Sequence, residues 1–223
     1  VADIRIDGAG KKVTRSDNCR VSDLSVSSDN LTFTYEAKSL PYPIDTSYYD
    51  NEKHTQADAL SVIPFMDEMN YEGLSVSGLS DGYYGLTIGG EFIGRFTARE
   101  LERGINMALL QNTPQYKQAM KIRQMNEERW LKERKMREFY WVEYNLMRKT
   151  GMLWACNEAA VDTLRKYRPH DIFLQWNGAL WLQYMHKGIR EDCVNEQQDL
   201  VNQIYEQNKP IPLQIEIKKF TDL

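Results

Sequence analysis

The stretch from Pro114 to about Lys149 constrains the fold most. It holds no glycine, and no proline after its first residue. Thr113-Pro114 opens it with proline at the first helical position, where the missing N–H is needed by no partner. Left uninterrupted, ~36 residues make a helix ~54 Å long at 1.5 Å per residue. One small domain cannot cover such a helix. It must lie across a neighbour, pair with another helix, or kink.

The residues around that helix divide the chain in two. All eleven serines lie at or before Ser80, all five tryptophans at or after Trp130, and ten of the thirteen glycines by Gly104. Residues 1–96 carry 8 basic against 15 acidic side chains, and residues 97–210 carry 18 against 15. Turn residues and charge therefore change together near residue 97. This predicts a mostly β region over 1–96 and a mostly helical region with a C-terminal strand over 97–223.

Alternation of apolar and polar residues predicts strands at 2–7, 21–26, 31–35, 74–76, 83–88 and 91–96. Gly89-Gly90 predicts a two-residue hairpin turn between the last two. Leu40-Pro41-Tyr42-Pro43 stops regular structure. The polar stretch 44–58 reads as a surface segment or the approach to a short helix, and 59–69 as that helix, interrupted at Pro64. Thr97-Ala98-Arg99-Glu100 is a capping box, opening a helix with Leu101, Ile105, Ala108 and Leu109 on one face. Further helices are expected at 158–167, 171–186 and 190–208, and a final strand at 213–217. The fold class is α+β: a small antiparallel sandwich or sheet, then a helical region with one long helix and a closing strand.

Composition narrows function. A formal charge of −4 argues against nucleic acid as a partner. No run approaches the ~18 apolar residues of a membrane span. Cys19, Cys156 and Cys193 are far apart with no C-x-x-C, against a disulfide scaffold or zinc knuckle. No serine is preceded by Gly-Asp, and no histidine has an aspartate three residues before it. Cys156 and Cys193 fall in helical patterns, where buried thiols are common. His186 and Cys193 have no companion pair to complete a metal site. Asp171 suits the first turn of its helix. No catalytic residue, metal ligand or cofactor is expected in this chain.

The basic run on the long helix (Lys121, Arg123, Arg129, Lys132, Arg134, Lys135, Arg137) is interleaved with Glu127, Glu128 and Glu133. That is the pattern of an exposed helix face. The aromatics Phe139, Tyr140, Trp141, Tyr144, Trp154, Trp176 and Trp181 are mostly core at this spacing. Tyr140, Trp141 and Tyr144, however, point in different directions around one helix axis, and a single internal face cannot bury all three. These three are the candidate binding residues, for a sugar, an acyl chain or a partner domain.

Several segments, taken in order, resemble one family. Leu40-Pro41-Tyr42-Pro43 is similar to its "LPFP" element. Residues 82–101, GYYGLTIGGEFIGRFTAREL, resemble its "Y-x-L-x-I-x-G-x-x-V-G-x-F-T-A-x-E-L" hairpin and helix cap. Gly104-Ile105-Asn106-Met107-Ala108 with Thr113-Pro114-Gln115-Tyr116-Lys117-Gln118-Ala119 resembles "GINLA…TPMYxQA". Arg165-Lys166-Tyr167-Arg168-Pro169 and residues 210–217 resemble "RWRP" and "PxPHxYEI". Together they resemble the C-terminal region of bacterial SGNH (GDSL-type) ester hydrolases.

That resemblance implies an accessory region packing beside a catalytic SGNH domain upstream in the same polypeptide. The family's nucleophile lies in Gly-Asp-Ser and its histidine in Asp-x-x-His, and this sequence has neither. Val1 as first residue, with no signal peptide, agrees with the removal of something upstream. The resemblance further implies a secreted or periplasmic bacterial protein and carbohydrate ester substrates, with this chain inactive alone. The rival expectation is a freestanding carbohydrate- or protein-binding module.

Overall fold

The computed structural model describes residues 1–46 and 53–220. Of the stretch 44–58, residues 47–52 lie outside the described residues. The chain forms two compact units, Val1–Arg123 with Glu206–Leu223, and Gln124–Tyr205.

The first unit holds two sheets. Strands β1 (Ala2–Asp7), β2 (Lys12–Asp17), β5 (Glu72–Ser77) and β8 (Ile105–Asn106) make one, in the order β2-β1-β5-β8. Strands β3 (Cys19–Val26), β4 (Asn30–Ala37), β6 (Tyr83–Ile88), β7 (Glu91–Thr97) and β9 (Leu213–Lys219) make the other, in the order β3-β4-β9-β6-β7. The second sheet is antiparallel throughout. The first is mixed, because β1 and β5 run parallel with Ile4 opposite Leu74, a correction to the all-antiparallel expectation. A parallel pair needs a long crossover, and the segment from Gly8 to Tyr71, which holds β2, β3 and β4, supplies it.

Period-two alternation decides what each sheet buries. Ile4, Ile6, Leu74 and Val76 of one sheet share a core with Leu31, Phe33, Leu86, Ile88, Ile215 and Ile217 of the other. Gly89 and Gly90 turn the β6–β7 hairpin at φ +57 and +83. Both are positive, as a two-residue turn matching strand twist requires. Ile88 then pairs with Glu91 directly across it.

At Thr97 the capping box forms on both sides. Thr97 Oγ1 accepts from Glu100 N at 3.1 Å, and Glu100 Oε2 accepts from Thr97 N at 2.7 Å. The helix it opens, α2 (Ala98–Arg103), is shorter than its apolar pattern implied. Gly104 at φ +95 ends it, and 105–109 form β8 and a 3-10 turn. Asn106 explains the exit. Its Oδ1 accepts from Glu72 N at 2.9 Å and Ala108 N at 3.1 Å, and its Nδ2 donates to Met66 O at 2.9 Å. A fixed polar anchor outweighs one further helical turn.

Two of the segments that carry the family resemblance are anchored here. Asn70 bonds both backbone groups of Tyr42, at 2.8 and 2.9 Å, and the Tyr116 hydroxyl donates to Ile44 O at 2.5 Å. Arg123 pairs with Asp45. Behind them Glu72 is buried, accepting from the Tyr35 hydroxyl at 2.8 Å and from Gln115 Nε2 at 3.4 Å. Burial pushes the Glu72 carboxyl above the usual carboxylate range, against these two hydrogen bonds. It also pushes up the Tyr35 phenol, whose partner is that carboxyl.

In the second unit Phe139, Val142, Leu146, Met147, Leu164, Leu174, Trp181 and Tyr184 make a separate core. The helices are α3 (Pro114–Val142), α4 (Glu158–Tyr167), α5 (Ile172–Tyr184) and α6 (Lys187–Gln207), with α1 (Phe65–Glu68) in the first unit. The unit boundaries fall within α3 and α6. The charges of α3 pair along its own surface, Arg134 with Glu138 and Arg137 with Glu133, and Lys132 reaches Glu196 of α6 at 2.6 Å. Among the described residues, no helix is long and apolar enough to cross a membrane.

Candidate functional site

The regular turns of α3 stop at Val142, seven residues short of the expected end, and Glu143–Met147 continue as a π-helix. The wider turn closes with Arg148 N donating to Glu143 O at 2.7 Å. Single π turns often mark functional positions, and here the turn serves Glu143. Its side chain is 1% exposed, a carboxylate within an aromatic core. Oε1 accepts from the Trp181 indole N–H at 2.7 Å, and Oε2 from the Trp154 backbone N–H at 2.8 Å. Both oxygens of this buried carboxyl group are thus met by donors, as burial of a polar group demands.

Trp154 holds φ +62. Left-handed backbone is rare in a large side chain and costs free energy that its surroundings must supply. The bond to Glu143 and the turn through Gly151 at φ +73 supply it. The outcome is placement. The Trp154 ring stands 6.0 Å from that of Tyr140 and 5.9 Å from that of Tyr144, nearly perpendicular to both at 84° and 86°. These three rings remain 45%, 39% and 48% exposed.

Trp141 belongs to another group. One residue on from Tyr140 it turns about 100° around the helix, and it is half-buried. Its ring meets Phe173 at 5.3 Å, and Phe173 meets Trp176 at 5.5 Å. Trp141 walls a cleft of about 430 Å³ with Lys149, Thr150, Tyr167, His170 and Asp171, a volume in the range of small-ligand sites. Asp171 Oδ1 is engaged in capping α5, accepting from Phe173 N at 2.8 Å and Leu174 N at 3.1 Å. Tyr140 instead lines a cleft of about 540 Å³ with Met136, Lys187 and Arg190.

The three candidate binding residues therefore divide between two aromatic faces. Trp154 and Glu143 complete the first, and sequence reasoning missed the role of both. Glu143 looks like one more charge on a charged helix. Trp154 had a weak signal, an aromatic just after Gly151 between two helices. Cys156 also departs from expectation. It is exposed in the loop before α4, because Asn157 caps that helix and starts it one residue later. Cys193 is buried in α6 as expected. Among the described residues no three His, Cys, Asp or Glu side chains gather as metal ligands. The second unit contains no serine.

Residues 120–209 match the family model described as the diltiazem deacetylase C-terminal helical domain. Among solved structures, BT4096, a gut microbial diltiazem-metabolizing enzyme, superposes with a TM-score of 0.91 and 35% identity. The match covers 99% of this chain and 50% of that one. The two share one fold along nearly the whole of this chain, which spans about half the length of that relative. No curated protein matches the chain.

Proposed function

We propose that this chain is the C-terminal accessory region of a deacetylase-type ester hydrolase with an SGNH catalytic domain in the same polypeptide. The observation that carries this reading is the match over 99% of this chain to one half of a solved diltiazem-metabolizing enzyme. The motif segments 40–43, 82–101 and 104–119 support the SGNH assignment. The substrates are acetyl esters, those on carbohydrates included, and the protein works outside the bacterial cytoplasm.

In this reading the chain's work is mechanical. It cannot activate a serine, having neither Gly-Asp-Ser nor Asp-x-x-His. It packs beside the catalytic domain and shapes the approach to its cleft. The face of Ile172, Phe173 and Trp176, 53%, 49% and 66% exposed, is the apolar surface best suited to that packing. The Tyr140, Tyr144 and Trp154 rings stay open to solvent, where faces of this kind stack against sugar rings.

The test joins sequence and enzymology. The reading frame upstream should encode Gly-Asp-Ser and Asp-x-x-His. The catalytic part produced alone should lose activity or thermal stability, and adding this chain should restore it in proportion to binding. Trp176→Ser should weaken that restoration. An upstream frame without either motif, or a catalytic part indifferent to this chain, overturns the proposal and favours a freestanding binding module.

A further inference from the structure

Thirty residues of sequence separate Cys156 from His186, yet Cys156 Sγ lies 3.3 Å from His186 Nδ1 and both residues are exposed. Each stands on ordered backbone. Cys156 lies between Ala155, whose N–H donates to Met152 O at 2.9 Å, and Asn157, whose Oδ1 accepts from Ala160 N at 3.0 Å. His186 occupies the corner between α5 and α6. There the Arg190 guanidinium donates to Tyr184 O at 2.5 Å and Met185 O at 2.7 Å. The pair is therefore held from both sides.

The attacking species in thiol chemistry is the thiolate, so an exposed thiol beside a base is the reactive arrangement. With its proton on Nε2, the His186 ring accepts the Cys156 S–H at Nδ1. The other two thiols lack this setting. Cys193 is buried, with Lys132 O and Gln197 Nε2 each 3.7 Å from its sulfur. Cys19 is buried beside Ser16, and burial pushes its thiol up.

We propose that Cys156 and His186 form a reactive thiol site that exchanges with low-molecular-weight disulfides. As Cys156 Sγ attacks one sulfur of the disulfide, its proton passes to His186 Nδ1. A bond forms between Cys156 Sγ and that sulfur, and the disulfide's own S–S bond breaks. The other half leaves as a thiolate and takes the proton back from the imidazolium. One disulfide is consumed and one formed, one thiol is consumed and one released, and no further oxidant is needed.

The whole chain, reduced and then treated with oxidised glutathione at neutral pH, tests the site. Adducts are located by peptide mass spectrometry and rates followed by thiol release. Cys156 should carry the first adduct. His186→Gln should slow it by about tenfold or more, within what a positioned base contributes, and Cys156→Ser should remove the fast phase. Both positions are exposed, so the variants should keep the thermal midpoint, which is measured alongside. A first adduct on Cys19 or Cys193, a Cys156 rate no greater than that of free glutathione, or an unchanged rate in His186→Gln overturns the proposal.

Discussion

Two buried carboxylates show how environment sets the behaviour of a single residue. Glu143 is matched by two N–H donors, one on each oxygen. Glutamine has only one acceptor oxygen at that place. Glu143→Gln therefore strands a buried donor, at a cost of about 1–3 kcal/mol. All five tryptophans lie in the second unit, so the midpoint of the tryptophan fluorescence transition should fall. An unchanged midpoint would deny Glu143 its role in holding Trp154. Glu72 is the opposite case. Its carboxyl is raised by burial, and Gln115 Oε1 is a buried acceptor with no hydrogen-bond partner among the described residues. Turning the Gln115 amide over lets a protonated Glu72 donate to that oxygen. The folded state thus holds the proton more tightly than the unfolded chain. The associated stability is complete below the ordinary carboxylate range and is lost as pH rises through the raised value. Calorimetric midpoints of the native protein should decline across that window, and Glu72→Gln should flatten the decline. Parallel curves for the two proteins would sink the assignment.

At the scale of elements, the Thr97 cap is the cleanest agreement between pattern and geometry. Thr97→Ala should cost about 0.5–2 kcal/mol, read by calorimetry or far-ultraviolet circular dichroism, and a variant with the parent's midpoint would show that the cap contributes nothing. Strands β1, β4, β6 and β9 were legible because one face of each is buried and the alternation survives in the sequence, and β7 because the Gly89-Gly90 turn ties it to β6. Strand β2 was not. Its residues KVTRSD are mostly exposed at a sheet edge, and charged edge strands carry no apolar period. The end of α2 was hidden because Leu101, Ile105 and Ala108 keep helical spacing after the backbone has left the helix. Gly104 was the only local warning. In the candidate site, the presence of aromatics on α3 could be read from spacing, but their division between two faces could not. Tyr140 depends on Trp154, fourteen residues on, and Trp141 on Phe173. Contacts between separate elements leave no periodic trace.

For the whole molecule, the chain by itself should hydrolyse no ester. Assayed on p-nitrophenyl acetate, it should match a non-enzymatic protein background. Turnover above that background, abolished by replacing one serine, would show a hidden active site. The order of the larger sheet carries another consequence. Strand β9 lies between β4 and β6, with Ile217 opposite both Leu31 and Leu86. On the ribosome this central strand arrives after everything it must join. Until residues 213–219 emerge, β4 and β6 each present a bare edge, the state most open to pairing with another chain. The helical unit, inserted between Arg123 and Glu206, is fully synthesised during that wait. Nascent chains are therefore most vulnerable between the emergence of β6 and that of β9, and a stop codon ahead of Leu213 would leave a sheet missing its middle rather than its margin.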